Sequence, residues 1–139
     1  MITISTDFNK QIYQKIVKIW KVTGISNPER CDSFENIMAT LEKNAVFLTA
    51  LNNDNIIATC WLTSDYRRLH LHHMAVLPEF QNKGIAQLLI DKAKEFSKEY
   101  KLQLKLEVNI NNQIAKNLYL KNGFKILDSF ITMIRRDIN

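Results

Sequence analysis

Residues 69–100 read LHLHHMAVLPEFQNKGIAQLLIDKAKEFSKEY. The run through Val76 reads as a hydrophobic strand. Pro78 stops it, because proline cannot donate to a central ladder. The polar loop Gln81-Asn82-Lys83-Gly84 follows, and then the period changes. From about residue 84 to 100, Ile85, Leu88, Leu89, Ala93 and Phe96 recur at three- and four-residue steps. Asp91, Lys92, Lys94, Glu95, Lys98 and Glu99 cover the other face, so this is an amphipathic helix. A strand that turns into a helix leaves backbone N–H groups unpaired at the helix start, where they can hold an anion.

The stretch before it reads as a meander. Runs 45–51 and 56–63 flank the turn cluster 52–55, forming an antiparallel hairpin, and turn 64–67 leads into a third strand, 68–76. Residues 2–5 form a short edge strand. Phe8, Ile12, Ile16, Ile19 and Trp20 mark a helix over 8–22, with Asp7 as cap and Gly24 as terminator. After the Ser26-Asn27-Pro28 break, a second helix runs over about 29–43 with Phe34, Ile37, Met38 and Leu41 inward. Beyond the central helix, 102–108 alternates as a strand. Asn111 and Asn112 cap a helix reaching about Asn122, Gly123 terminates it, and 124–127 and 130–136 read as two last strands. The expectation is an α/β fold of order β-α-α-β-β-β-α-β-α-β-β. It is a mixed, mostly antiparallel sheet of about seven strands flanked by four helices.

A chain of 139 residues suits one domain, 1–139, with its own core. No apolar run approaches the ~20 residues of a membrane span, and the first residues do not form a signal peptide. A cytoplasmic protein with no membrane partner is expected. Cys31 and Cys60 lie far apart and read as reduced, packed thiols. The net charge of +5 suits an anionic ligand. Its basic residues are scattered, which argues against a nucleic-acid partner.

The loop Gln81 to Ala86 is neither a Walker A loop nor a Rossmann fingerprint. Small residues at Gly84 and Ala86 leave the backbone open to a pyrophosphate, with Lys83 adding charge; an ordinary strand–helix turn fits the same spacing. By alternation His70 and His72 share one strand face, with His73 opposite. No carboxylate or thiolate stands at a matching spacing, so no metal is expected. An imidazole titrating near neutrality suits a general base, with Glu107 and a water chain as rivals and structural histidines equally in view. Tyr119, at helical spacing from Ala115, fits a core position, and Asn112 fits a helix cap.

Two blocks together resemble the GNAT N-acetyltransferase superfamily. One is Gln81-x-x-Gly84-x-Ala86, preceded by Met74-Ala75-Val76-Leu77-Pro78-Glu79. The other is Asn112-x-x-Ala115-x-x-Leu118-Tyr119-x-Lys121-x-Gly123-Phe124. Ala86 stands where many members have glycine. The resemblance implies the GNAT fold, with acetyl-coenzyme A as co-substrate and no metal. The cofactor contacts it implies are Met74, Ala75, Val76, Gln81, Asn82, Lys83, Gly84, Ile85, Ala86, Gln87, Asn112, Tyr119 and Lys121. Backbone N–H groups of residues 82–87 would hold the pyrophosphate. The strand through Met74, Ala75 and Val76 would splay from strand 102–108 and pair with the pantetheine arm. The Met74 N–H would face the thioester carbonyl, Tyr119 would protonate the leaving thiolate, and His70 or His72 would be the base. The implied activity is acetyl transfer to a primary amine of a small molecule or peptide, by a monomer or homodimer. A coenzyme A-binding regulatory or partner protein is the alternative. The acceptor site would draw on the first two helices, residues 64–68 and the final strands. Trp20, Phe34, Trp61, Tyr66, Arg67 and Arg68 are its candidates.

Overall fold

The computed structural model describes residues 1–139, apart from the side chain of Pro28. It divides into two compact units, Met1–Glu107 and Val108–Asn139. In the first, the elements are β1 (Ile2–Ser5), α1 (Lys10–Val22), α2 (Phe34–Leu41), β2 (Val46–Asn52), β3 (Asn55–Ser64), β4 (Arg68–Val76), α3 (Ile85–Tyr100) and β5 (Gln103–Leu106). Short 3-10 turns occupy Pro28–Arg30 and Pro78–Phe80.

The sheet order is β1-β2-β3-β4-β5. The first three pairings are antiparallel and β4–β5 is parallel, because α3 carries the chain back across the sheet. Each face of the sheet has its own core. Leu48, Ala50, Ala58, Leu62 and Leu71 bury one face against Ile85, Leu89 and Ala93 of α3. Phe47, Trp61 and Ala75 bury the other against Ile16, Ile19 and Trp20 of α1 and Ile37 of α2. Among the described residues no helix is long and apolar enough to cross a membrane.

The first helices differ from the periodicity. Asn9, not Asp7, caps α1, its side chain accepting from the Ile12 N–H at 2.9 Å. The expected helix 29–43 is broken. Cys31 takes a left-handed φ of 52° after the 3-10 turn, and Ser33 restarts the chain as α2, accepting from the Asn36 N–H. A left-handed residue cannot continue a right-handed helix.

In the second unit, α4 (Gln113–Lys121) starts at Asn112, whose side chain accepts from the Ala115 N–H at 3.2 Å. Gly123 ends it at φ 90°, and the Phe124 N–H closes back on the Tyr119 carbonyl at 3.1 Å. The two expected strands after it are not formed. The sheet has five strands rather than about seven, and residues 124–139 adopt neither helix nor strand. Phe130, Ile131, Met133 and Ile134 stay exposed. Alternating apolar residues give a segment the capacity to form a strand, but a strand exists only where another edge accepts its ladder.

Candidate functional site

β4 carries an irregularity on each side. Against β3 the register runs from Ser64–Leu69 to Trp61–His72 and resumes at Thr59–Ala75. Cys60 therefore opposes both His73 and Met74, a β-bulge, with His73 in the left-handed region at φ 51°. Two side chains pin the bulge: the Thr59 hydroxyl donates to the His73 carbonyl at 2.8 Å, and the Trp20 indole N–H donates to Thr59 at 3.0 Å. Against β5 the parallel register runs only from Arg68–Gln103 to Leu71–Leu106. From His72 to Val76, then, β4 faces no strand of the sheet on that side. The Leu77 N–H donates inward to the Ile57 carbonyl at 2.9 Å. Strand alternation then turns the backbone polar groups of Met74 and Val76 toward the open edge, and those of Ala75 toward β3.

The open edge leads into the loop. The Gln81 side-chain amide donates to the Val76 carbonyl at 3.0 Å, tying the loop to the end of β4. Asn82 and Gly84 are left-handed, at φ 62° and 79°. The first bond of α3 in this turn runs from the Leu88 N–H to the Gly84 carbonyl, and no side chain caps the helix. The N–H groups of Ile85 and Ala86 therefore precede the helical ladder and point out of its positive end. Lys83 lies over the Phe80 ring at 5.7 Å, and Gln87 donates from its side chain to Asp91 at 2.8 Å. A Cβ on Gly84 would meet nothing within 4 Å, so backbone conformation rather than crowding selects glycine. Gly84→Ala is expected to lower stability by about 1–2 kcal/mol. Gly84→Asn costs less, because Asn tolerates the left-handed region. Urea unfolding of both variants checks the order; an Ala variant as stable as wild type would contradict it.

The three histidines do not divide as alternation predicts. The rings of His72 and His73 both pack on Trp61, at 5.3 and 5.6 Å, so they lie on one face. The bulge adds one residue to β4 and cancels the alternation at that point. His70 lies 3.4 Å from the Asp65 carboxylate at the exposed turn. Backbone N–H groups of Arg68 and Arg67 hold that carboxyl down at about 2. His72 shares a 2.8 Å hydrogen bond with Thr63, and burial, with the neighbouring histidine charges, brings it down to about 4. His73 meets Asp32 at 2.7 Å between the rings of Trp20 and Trp61. Burial lowers its pKa, against the opposing pull of Asp32.

His72 makes stability depend on pH. The unfolded imidazole binds a proton near 6.5 and the folded one only near 4. Between these values the unfolded state holds more protons, so stability falls as pH falls through this window and levels off below it. The expected loss is about 3 kcal/mol. His72→Gln should flatten the dependence between pH 6.5 and 4, read as urea midpoints; an unchanged slope would exclude His72 as its source.

The first unit thus brings Met74, Ala75 and Val76 together with Gln81, Asn82, Lys83, Gly84, Ile85, Ala86 and Gln87. Asn112, Tyr119 and Lys121 belong to the second unit. There Asn112 is the cap of α4, and Tyr119 is buried with its ring edge-on to Phe124 at 5.5 Å. Of the acceptor candidates, Trp20 and Trp61 are buried core residues and Tyr66 is exposed. Sequence reasoning missed Asp32, which sits in a loop without periodicity, 41 positions from its histidine partner. It also missed Tyr13, whose hydroxyl donates to the Asp32 carbonyl at 3.1 Å. Among the described residues no group of three or more His, Cys, Asp or Glu is placed to hold a metal.

This arrangement can be set beside known proteins. The acetyltransferase (GNAT) family signature matches residues 10–124. The chain belongs to the GNAT family. That family is one of acyltransferase enzymes, and its signature covers the bulged strand, the loop and α4. The "GCN5-related N-acetyltransferase 7, chloroplastic" of Arabidopsis thaliana is 34% identical over 62 residues. That match spans 44% of this chain and only 23% of the plant protein. The spermidine N(1)-acetyltransferase of Thermoplasma acidophilum is 26% identical over 123 residues, 79% of this chain and 76% of that protein. The PaiA N-acetyltransferase of Thermoplasma acidophilum, solved in complex with coenzyme A, superposes with a TM-score of 0.78 at 22% identity, covering 92% of both chains. It shows that this GNAT member shares its fold.

Proposed function

We propose that the protein is an N-acetyltransferase that moves an acetyl group from acetyl-coenzyme A to a primary amine of a small molecule or peptide by direct attack. The observation that carries this reading is the end of β4–β5 pairing at Leu71–Leu106, while β4 runs on to Val76 and into the uncapped start of α3. An open strand edge accepts an extended arm by β-augmentation, as a pantetheine would require. A helix start with free N–H groups and open space before Gly84 suits a pyrophosphate. These features fit the two ends of coenzyme A, and the 22%-identical fold neighbour was solved with that molecule.

In this reading Met74, Ala75 and Val76 bind the pantetheine through the strand edge. Gln81 holds the loop to that edge, and Asn82, Lys83, Gly84, Ile85, Ala86 and Gln87 line the phosphate end. The Met74 N–H stabilises the oxyanion, a role typically worth ~10²-fold or more. In the second unit, the residues proposed to contact coenzyme A are Asn112 and Lys121, and Tyr119 is the proposed acid for the departing thiolate. Polyamines lead the acceptor classes, because the 26%-identical relative is a spermidine acetyltransferase.

The test is thiol release from acetyl-coenzyme A across polyamines, aminoglycosides, amino acids and peptides. Turnover with any amine supports the proposal. A thermal shift with coenzyme A but no turnover on the panel favours the regulatory reading instead.

A further inference from the structure

We propose that His73, oriented by Asp32, is the general base that receives the proton of the attacking amine. The inference rests on the acetyltransferase reading and adds a residue that the strand pattern had pointed away from the other histidines. His73 immediately precedes Met74, and the bulge places both opposite a single residue of β3. A carboxylate only accepts, so the 2.7 Å contact with Asp32 puts the proton on His73 Nε2 and the lone pair on Nδ1. Asp32 is in turn positioned by the Tyr13 hydroxyl on its carbonyl.

The lone pair is available. His73 Nδ1 has no hydrogen-bond partner among the described residues, and no buried side-chain nitrogen or oxygen among them lacks one. Nδ1 therefore keeps some exposed surface, although only 7% of the side chain is exposed. His72, in contrast, gives its Nε2 to Thr63, and His70 sits out at the Asp65 turn.

The backbone points the same way. A left-handed φ is unfavourable for a residue with a side chain and persists where its surroundings over-determine it. Here Thr59, Trp20 and Asp32 all hold His73 in that conformation.

The amine enters as its free base, having left one proton in solvent. As its nitrogen attacks the thioester carbon, the C–N bond forms and the nitrogen becomes strongly acidic. One proton passes to His73 Nδ1, the C–S bond breaks, and the thiolate leaves with a proton from Tyr119. His73 then releases its proton to solvent and Tyr119 takes one back from solvent, which restores both groups. Burial lowers its titration, and the charged groups that act on it are Asp32, which raises it, and Arg30, which lowers it, both from the α1–α2 connection; Tyr13 from α1 meets the Asp32 carbonyl, and His72 neighbours it on its own strand.

The decisive variant is His73→Asn, since Asn tolerates the left-handed backbone but supplies no base. With an amine that wild type acetylates, kcat should fall ~10²-fold or more, while the KM for acetyl-coenzyme A stays near wild type. His73→Gly, which suits the same φ, should regain rate on adding imidazole. Asp32→Asn should shift the acid limb of the pH–rate profile. Wild-type kcat in folded His73→Asn overturns the inference. So does a slow His73→Gly that imidazole does not restore. If His73→Asn fails to fold, the glycine variant with imidazole decides. Wild-type protein inactive on every amine overturns the acetyltransferase reading itself, and this inference with it.

Discussion

Trp20→Ala is expected to lower the unfolding free energy by about 3–5 kcal/mol. Trp20 is only 2% exposed and packs between α1 and the sheet, with Phe47 at 6.1 Å and His73 at 4.6 Å. Alanine leaves a cavity that a sheet and two helices cannot easily close. It also removes the donor to Thr59, the hydroxyl that holds the His73 carbonyl at the bulge. With small domains stable by roughly 5–15 kcal/mol, the variant should be close to unfolding at ambient temperature. Trp20→Phe keeps most of the volume and should lose less. Urea denaturation of both variants is the measurement; a loss below about 1 kcal/mol for alanine would remove Trp20 as the anchor of this face.

Tyr119→Phe should reduce kcat by ~10²-fold or more while acetyl-coenzyme A still binds. The ring is buried against Phe124, and phenylalanine preserves that packing. What is lost is the hydroxyl. A phenol with a reference pKa near 10 can protonate a leaving thiolate, whose own thiol titrates near 8.5, as the C–S bond breaks. Isothermal titration with coenzyme A and initial rates with the best amine separate binding from chemistry. An unchanged kcat would leave Tyr119 with a packing role only.

The two variants act on different links. Trp20→Phe tests the packing that sets the bulge next to Met74. Tyr119→Phe tests the proposed proton transfer to the leaving group. A rate loss in Trp20→Phe with coenzyme A affinity retained would link the bulge to the chemical step, because the indole N–H reaches the bulge through Thr59.

Local physics settles much of this molecule from its residues alone. Three- and four-residue spacing marks α1, α3 and α4, and the turn cluster 52–55 marks the β2–β3 hairpin. Asn112 and Gly123 announce the ends of α4, and Gly84 marks the turn between strand and helix before α3. The loop from Gln81 to Ala86 and the block from Asn112 to Phe124 carried the family resemblance. Each of these depends on residues within a turn or two of one another.

Pairing across the chain was decided only by the tertiary structure. The apolar alternation at 130–136 is strand-like, yet the sheet stops at five strands. Alternation put His73 opposite His72, but a one-residue bulge against β3 brings both rings to Trp61. Nothing in the loop sequence marks Asp32 as a partner 41 positions away. Side-chain periodicity is a property of one segment, whereas register, bulges and ion pairs are set by which distant segment it meets, and that choice is made by packing.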